Sequence, residues 1–243
     1  MFKISKIFMI ILEKVFPSHY LSMVLRLRKS DSVCAKPDVS DFKDKVAIVM
    51  QGPIVIKDNF TYETLKIYKK RFPEIVIILS TWDNYSKDEL NKFKKINVEI
   101  IENTKPDYSG ISNINFQIES TKNGILKAKE LDSKYCLKTR TDQRIYRHDF
   151  ILFLLSLLDV FKIENKFLRK RLVIVSLNTY KFRLYGVSDM FMFGYIDDMF
   201  KYWNVSFDKR ALKDVEIGIS ALEYSKARLC EVYLCTEFLK KIN

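Results

Sequence analysis

The sequence predicts an α/β protein built on a mostly parallel sheet that is covered by helices on both faces. The first observation is that short, continuously apolar segments alternate with segments of helical periodicity from Val46 onward. The second is that polar motifs follow directly where several of these apolar segments end. Strands buried on both faces are continuously apolar, and their alternation with helices is typical of parallel sheets.

The elements are predicted in the following order. The first four strands are VAIVM (46–50), EIVIILS (74–80), VEII (98–101) and KYCLKT (134–139). The helices between them are YETLKIYKKRF (62–72), SKDELNKFKKI (86–96) and NINFQIESTKNGILKAKEL (113–131). Ser86 and Glu89 form a capping-box signature at the start of the second helix. The second half is less regular, with predicted strands at 172–176 and 189–194 and a predicted helix at 195–203.

The composition indicates one large globular domain or two small ones. The chain has 243 residues, of which 48% are hydrophobic, and only 6 Gly and 5 Pro, which argues against a disordered or linker-rich protein. A net charge of +12 favours anionic partners, namely nucleic acid, acidic lipid or phosphorylated small molecules. The four cysteines form no Cys-x-x-Cys pair and only two histidines are present, so we expect no zinc site and a cytoplasmic protein.

The N-terminal residues 1–30 form a predicted basic amphipathic helical segment, separate from the domain predicted for residues 45–243. Its apolar stripe from Ile7 to Leu12 is much shorter than the ~20 residues that cross a membrane, and no signal-peptide cleavage site follows. Two alternatives remain for this segment. It packs on the domain, or it lies on an anionic membrane surface, which would place the protein on the cytoplasmic face of the inner membrane.

A second basic stretch runs from Lys162 to Arg171. It carries five cations, Lys162, Lys166, Arg169, Lys170 and Arg171, against the single acidic residue Glu164. Such a stretch is typical of a solvated helix end or loop.

Three polar motifs follow predicted strands. They are Gln51-Gly52-Pro53, Thr81-Trp82-Asp83-Asn84 and Arg140-Thr141-Asp142. In open α/β sheets, ligands bind beyond the carboxyl ends of the strands, so these motifs indicate a common ligand site. Side chains alternate along a strand, which puts Lys138, Arg140 and Asp142 on one side. They could bind a diphosphate, with Asp142 holding Mg²⁺ or Mn²⁺ or with the cations acting instead of a metal. The alternative is a salt-bridged strand end.

The sequence resembles the WavE-type lipopolysaccharide and capsule biosynthesis family. The resemblance rests on VAIVMQGPI, ETLKIYKKRFPEIVIILSTWDN, NINFQIESTKNGILKAKE and YCLKTRTDQRIY, and on the later YGVSDMFMFG and CEVYL. It implies a GT-A-type fold with a single Rossmann-like sheet. It also implies a glycosyltransferase that moves a sugar from a nucleotide-sugar donor to a growing lipopolysaccharide, lipooligosaccharide or capsule glycan. We expect no nucleic-acid partner.

The resemblance implies roles for individual residues. Gln51, Gly52 and Pro53 would lie against the donor nucleotide, and Thr81, Trp82 and Asp83 would complete that pocket. Asn113 and Gln117 would read sugar or ribose hydroxyls, Lys138 and Arg140 would bind the donor, and Asp142 would coordinate a divalent cation. Alternatives are a core role for Trp82, a helix cap for Asp83 and surface capping for the two amides. The family's motif has an acidic residue where Arg140 stands, which puts metal dependence in question.

Asp189 and Glu231 are the candidates for the catalytic base that an inverting transferase needs. Each could instead cap a helix or pair with a cation. Two other functions remain open. A sugar nucleotidyltransferase would be expected to carry a glycine-rich loop after the first strand, and QGPIVIKDNF does not supply one. A non-catalytic basic protein that binds membrane or nucleic acid would leave the strand-end motifs unexplained.

Overall fold

The structure, a computed structural model, describes residues 11–12, 14–15, 45–164, 166–181, 183–211, 213, 215 and 220–242. Two compact units are present, residues 1–36 and residues 37–243. In the first unit the described residues, Ile11, Leu12, Lys14 and Val15, are helical, and the remainder of the predicted 1–30 segment lies outside the described residues. None of the described helices is both long enough and apolar enough to cross a bilayer.

The second unit contains a single six-stranded sheet. Its strands are β1 (Val46–Gln51), β2 (Val76–Trp82), β3 (Glu99–Asn103), β4 (Tyr135–Arg140), β5 (Val173–Ile174) and β6 (Met192–Tyr195). Their order across the sheet is β3-β2-β1-β4-β6-β5. The first four strands are mutually parallel, β6 runs antiparallel to β4, and β5 runs antiparallel to β6. The predicted mostly parallel sheet is confirmed.

Seven helices are described in this unit. They are α1 (Phe60–Arg71), α2 (Lys87–Lys94), α3 (Ile114–Glu130), α4 (Phe150–Val160), α5 (Ile196–Trp203), α6 (Ala221–Ala227) and α7 (Cys230–Ile242). The predicted capping box is present at the start of α2, where Ser86 accepts from the backbone of Glu89 and the Glu89 carboxylate accepts from the backbone of Ser86. Helices α4 and α6 were not predicted.

Helices cover the sheet on both faces, as predicted. Along β1, Ile48 and Met50 point into a core with α1, α2 and α4, whereas Ala47 and Val49 point into a second core with α3, α5 and α7. The apolar sequence of β1 from Val46 to Met50 follows from this arrangement, because each of these side chains is buried in one core or the other.

Helix α3 packs unusually close to the sheet and thereby positions the end of β1. At Gly124 an added Cβ would lie 2.3 Å from a methyl carbon of Val49, so only glycine allows this approach. One turn earlier on the helix, the Ser120 hydroxyl lies 2.9 Å from Oε1 of Gln51, to which it donates. The close packing therefore anchors the polar residue that begins the first strand-end motif.

Candidate active site

A cavity of about 430 Å³ opens at the carboxyl ends of β1, β2 and β4. All three strand-end motifs contribute to its wall, as the arrangement of a parallel sheet requires. The lining residues are Gln51, Gly52, Pro53, Val55, Trp82, Asn84, Tyr85, Lys105, Ser112, Asn113, Phe116, Gln117, Arg140, Thr141 and Asp142.

The loop after β1 forms one wall of the cavity with its backbone. Gly52 has a φ of +120°, which favours glycine, and an added Cβ would lie 3.0 Å from the Thr141 hydroxyl. The Gly52 amide donates to the carbonyl of Ser80, and the Thr141 amide donates to the carbonyl of Gln51. These bonds hold the ends of three neighbouring strands together, and they leave room for a ligand to approach the backbone at Gly52.

Arg140 and Asp142 form a bidentate ion pair in the cavity wall. Arg140 Nε donates to Asp142 Oδ1 at 2.9 Å, and Nη2 donates to Oδ2 at 2.6 Å. Burial opposes ionisation of Asp142, but the hydrogen bonds and charge of Arg140 outweigh it and hold the carboxyl pKa below its ordinary value. Both side chains remain partly exposed, at 34% and 45%. The guanidinium is therefore oriented and still reachable by an anion in the cavity.

An aromatic and two amides form the opposite wall. Trp82 is buried against Phe116, with ring centroids 5.5 Å apart, and the Lys105 ammonium lies 5.9 Å from the Trp82 ring. Asn113 has a left-handed backbone just before α3, and Gln117 lies one turn later. Trp82 thus belongs to the core and to the cavity wall at once, and both amides line the cavity.

Five of the predicted site residues lie outside this wall. Thr81 is fully buried, and Asp83 accepts a hydrogen bond from Thr104 at 2.7 Å on the surface. Asp189 and Glu231 are buried and do not line the cavity. Lys138, predicted to bind the donor, is also enclosed by protein rather than open to the cavity.

Lys138 occupies a buried polar cluster behind the cavity wall. Its ammonium donates to the backbone carbonyl of Asp189 and lies 4.6 Å from the centroid of the Trp203 ring. It also lies 3.5 Å from Oε1 of Gln117, a cavity-lining residue. Burial lowers the pKa of Lys138 to about 8, and the nearby charge of Asp189 opposes this shift. Lys138 therefore connects the cavity wall to the segment that carries Asp189.

The two base candidates differ in their surroundings. Glu231 accepts from Arg183 Nη2 at 2.7 Å and from the Cys230 thiol at 3.0 Å, and both members of the Arg183–Glu231 pair are largely buried. Asp189 accepts no side-chain hydrogen bond from the described residues, and its charge acts on Arg140 in the cavity wall. Among the described residues, the Asp189 carboxylate therefore makes fewer hydrogen bonds than the Glu231 carboxylate.

The pKa of Lys138 predicts a specific pH dependence of stability. Between pH 8 and the ordinary lysine value of 10.5, the unfolded chain holds the proton and the folded chain does not. Stability from this group therefore rises with pH across that window, by at most about 1.4 kcal/mol per pH unit. We expect the unfolding free energy of the wild type, minus that of Lys138→Met, to increase in urea titrations between pH 8 and 10.5. A difference that stays constant with pH would contradict the burial of the ammonium.

Several cavity and cluster residues were missed in the sequence. Tyr85 and Lys105 both follow predicted strands, so their positions carried a usable signal. No sequence signal indicated Arg183 or the α5 residue Trp203, because their contacts join residues far apart in the chain.

The residues present do not form a ready divalent-cation site. Among the described lining residues, Asp142 supplies the sole carboxylate, and Arg140 already occupies both of its oxygens. No group of three or more His, Cys, Asp or Glu is placed to hold a metal anywhere in the described ranges. A cation bound by Asp142 would have to displace the guanidinium. The oxygen ligands present therefore do not fit the predicted Mg²⁺ or Mn²⁺ role of Asp142.

Comparisons with solved structures give distant likenesses. A cytidylyltransferase from Leptospira borgpetersenii is 13% identical, with a TM-score of 0.42, and the match covers 77% of this chain and 74% of that chain. A proposed nucleotide-diphospho-sugar transferase from Desulfovibrio desulfuricans is 12% identical, with a TM-score of 0.41 and coverage of 76% and 78%. No curated protein matches the chain significantly.

A family model provides the direct assignment. The model described as WavE lipopolysaccharide synthesis matches residues 46–243, which include the whole sheet and every cavity-lining residue. The sheet itself has the predicted mostly parallel form, with parallel β1 to β4 and an antiparallel β6. The chain belongs to the WavE lipopolysaccharide synthesis family.

Proposed function

We propose that the protein is a glycosyltransferase that uses a nucleotide-sugar donor to extend a lipopolysaccharide or related glycan. The observation that carries this proposal is the cavity in which an oriented cation, a glycine backbone, an aromatic and two amides converge. Arg140 would neutralise the diphosphate that leaves the donor. Asn113 and Gln117 would hydrogen-bond ribose or sugar hydroxyls.

Arg140 would take the role that a divalent cation has in related enzymes. Its guanidinium presents a planar donor set that suits phosphate oxygens, and Asp142 orients it through two hydrogen bonds. The charge of Lys138 would add to the positive potential from behind the wall. On the acceptor side, Asp189 would serve as the base that removes the proton of the attacking hydroxyl. Because its carboxylate is buried and lies outside the cavity lining, acceptor binding would have to expose it.

A donor screen tests the proposal. The protein is incubated with UDP-, GDP-, CMP- and dTDP-sugars, with and without a chelator, and release of the nucleotide is measured. We expect slow hydrolysis of one donor class that persists with the chelator. A parallel incubation with nucleoside triphosphates and a sugar phosphate tests the rival reaction. Release of pyrophosphate there, without hydrolysis of any sugar nucleotide, would identify a sugar nucleotidyltransferase and contradict the proposal.

A further inference from the structure

Helix α4 exposes an unusually apolar surface. Ser156 and Asp159 are its only polar residues, and its buried side is formed by Phe150, Ile151, Leu154 and Leu158. On the opposite side, Leu152, Phe153 and Val160 are 37%, 40% and 71% exposed. Just beyond the helix, Phe161 and Phe167 are 58% and 54% exposed. We call these five exposed side chains the α4 surface. Large apolar groups clustered in this way mark an interaction site more often than a plain solvated face.

Cations lie directly beside the α4 surface. Lys162, Lys166 and Arg171 are exposed in the segment that follows the helix, and the two lysines adjoin the exposed Phe161 and Phe167 in sequence. The Arg171 Nε donates to the carbonyl of Lys162 at 3.0 Å, which brings the two ends of this segment together. The Lys201 ammonium donates to the carbonyl of Phe167 at 2.6 Å, and its charge is balanced by the Asp198 carboxylate 3.6 Å away.

The basic segment is also joined to the helix itself. Lys170 forms an ion pair with Asp159, so the exposed acidic group of α4 is already neutralised. From residue 159 to residue 171 the chain carries five Lys or Arg against two Asp or Glu. The surface thus combines exposed apolar groups with excess positive charge, which complements a negatively charged bilayer.

We propose that the α4 surface docks on an anionic lipid bilayer, with Phe153, Val160 and Phe161 entering the headgroup region while Lys162, Lys166 and Arg171 contact acidic headgroups. The surface would hold the enzyme at a membrane independently of residues 1–30. A second copy of this chain is a poorer occupant, because two such basic segments would repel each other when brought together.

Vesicle binding by the full chain tests the proposal. Sedimentation is measured with vesicles of phosphatidylcholine containing about one-third phosphatidylserine, and with phosphatidylcholine alone. We expect binding to the acidic vesicles that weakens as salt is raised, and much weaker binding to the neutral ones. Val160→Ser with Phe161→Ser should reduce the partition coefficient by about tenfold or more, because two apolar groups no longer enter the bilayer.

Two further variants separate the contribution of the lysine charges from that of the apolar side chains. Lys162→Glu with Lys166→Glu should reduce binding to acidic vesicles by about tenfold or more and leave binding to neutral vesicles unchanged. The matched control is Tyr108→Ser with Leu222→Ser, which removes two side chains that are 65% and 54% exposed elsewhere on the chain. It should bind as the wild type does.

Each remaining outcome overturns the proposal. Wild-type binding by both α4-surface variants shows that the surface does not dock on lipid. If deletion of residues 1–30 alone abolishes binding, the membrane contact is made by the N-terminal residues. If the apolar variant instead changes the oligomeric state in sedimentation velocity while vesicle binding is unaffected, the surface is an interface between copies of this chain.

Discussion

Asp189→Asn is expected to abolish sugar transfer to an acceptor while donor affinity stays near the wild-type value. Removing a positioned general base reduces rates by about 10²- to 10⁴-fold, and Asn retains the volume of Asp without its basicity. The Lys138 ammonium would keep its bond to the backbone carbonyl of residue 189 but lose the nearby negative charge, so the protein should fold with a lower melting temperature. Transfer rate, donor dissociation constant and melting temperature are measured together.

Glu231→Gln is the matched control for Asp189→Asn. Gln can still accept the hydrogen bond from Arg183, so this variant should transfer sugar at a rate close to the wild type. The pH dependence of the transfer rate is an independent test. In the wild type the rate should fall at low pH because the base becomes protonated, and Asp189→Asn should lack this fall. Loss of transfer in Glu231→Gln with full activity in Asp189→Asn would make Glu231 the base. Equal loss of donor binding in both variants would place the two carboxylates at the donor instead.

Arg140→Ala is expected to lower the rate of donor hydrolysis and transfer by about a hundredfold or more. Loss of one preorganised charge contact to a developing anion has an effect of this size. Asp142→Asn should give a similar but smaller loss, because it weakens the two hydrogen bonds that orient the guanidinium. The ion pair is partly exposed, so neither change should destabilise the fold by more than about 1 kcal/mol.

Arg147→Ala is a closely matched control for Arg140→Ala. Arg147 pairs with Asp149 through the same two-residue spacing and the same two nitrogen donors, at 2.6 and 2.9 Å, and does not line the cavity. Its donor hydrolysis should equal that of the wild type. Added Mn²⁺ tests whether Arg140 acts in place of a metal. The cation should raise the rate of donor hydrolysis more in Arg140→Ala than in the wild type. Near-normal activity of Arg140→Ala and Asp142→Asn, with lower melting temperatures, would show that the pair is a structural salt bridge.

The sequence by itself determined the positions of the first four strands along the chain and the burial of β1, β2 and β4. Strand β1 is apolar from Val46 to Met50 because helices cover both faces of the sheet, so the pattern of β1 alone contained the three-layer arrangement. It also determined that Gln51, Trp82 and Arg140 would converge, since parallel strands end at one edge. Local signals sufficed where the interactions are local, as in the capping box of Ser86 and Glu89.

The tertiary structure alone decided which polar residues are open to the cavity. Alternation along β4 correctly put Lys138 on the side of Arg140, but packing of Trp203 from α5 encloses the lysine and leaves the arginine exposed. Helix α4 was missed because it is apolar almost all round, which removes the periodicity that reveals an amphipathic helix. The surroundings of Asp189 and Glu231 depend on contacts between residues far apart in sequence, and such contacts exist only once the chain has packed.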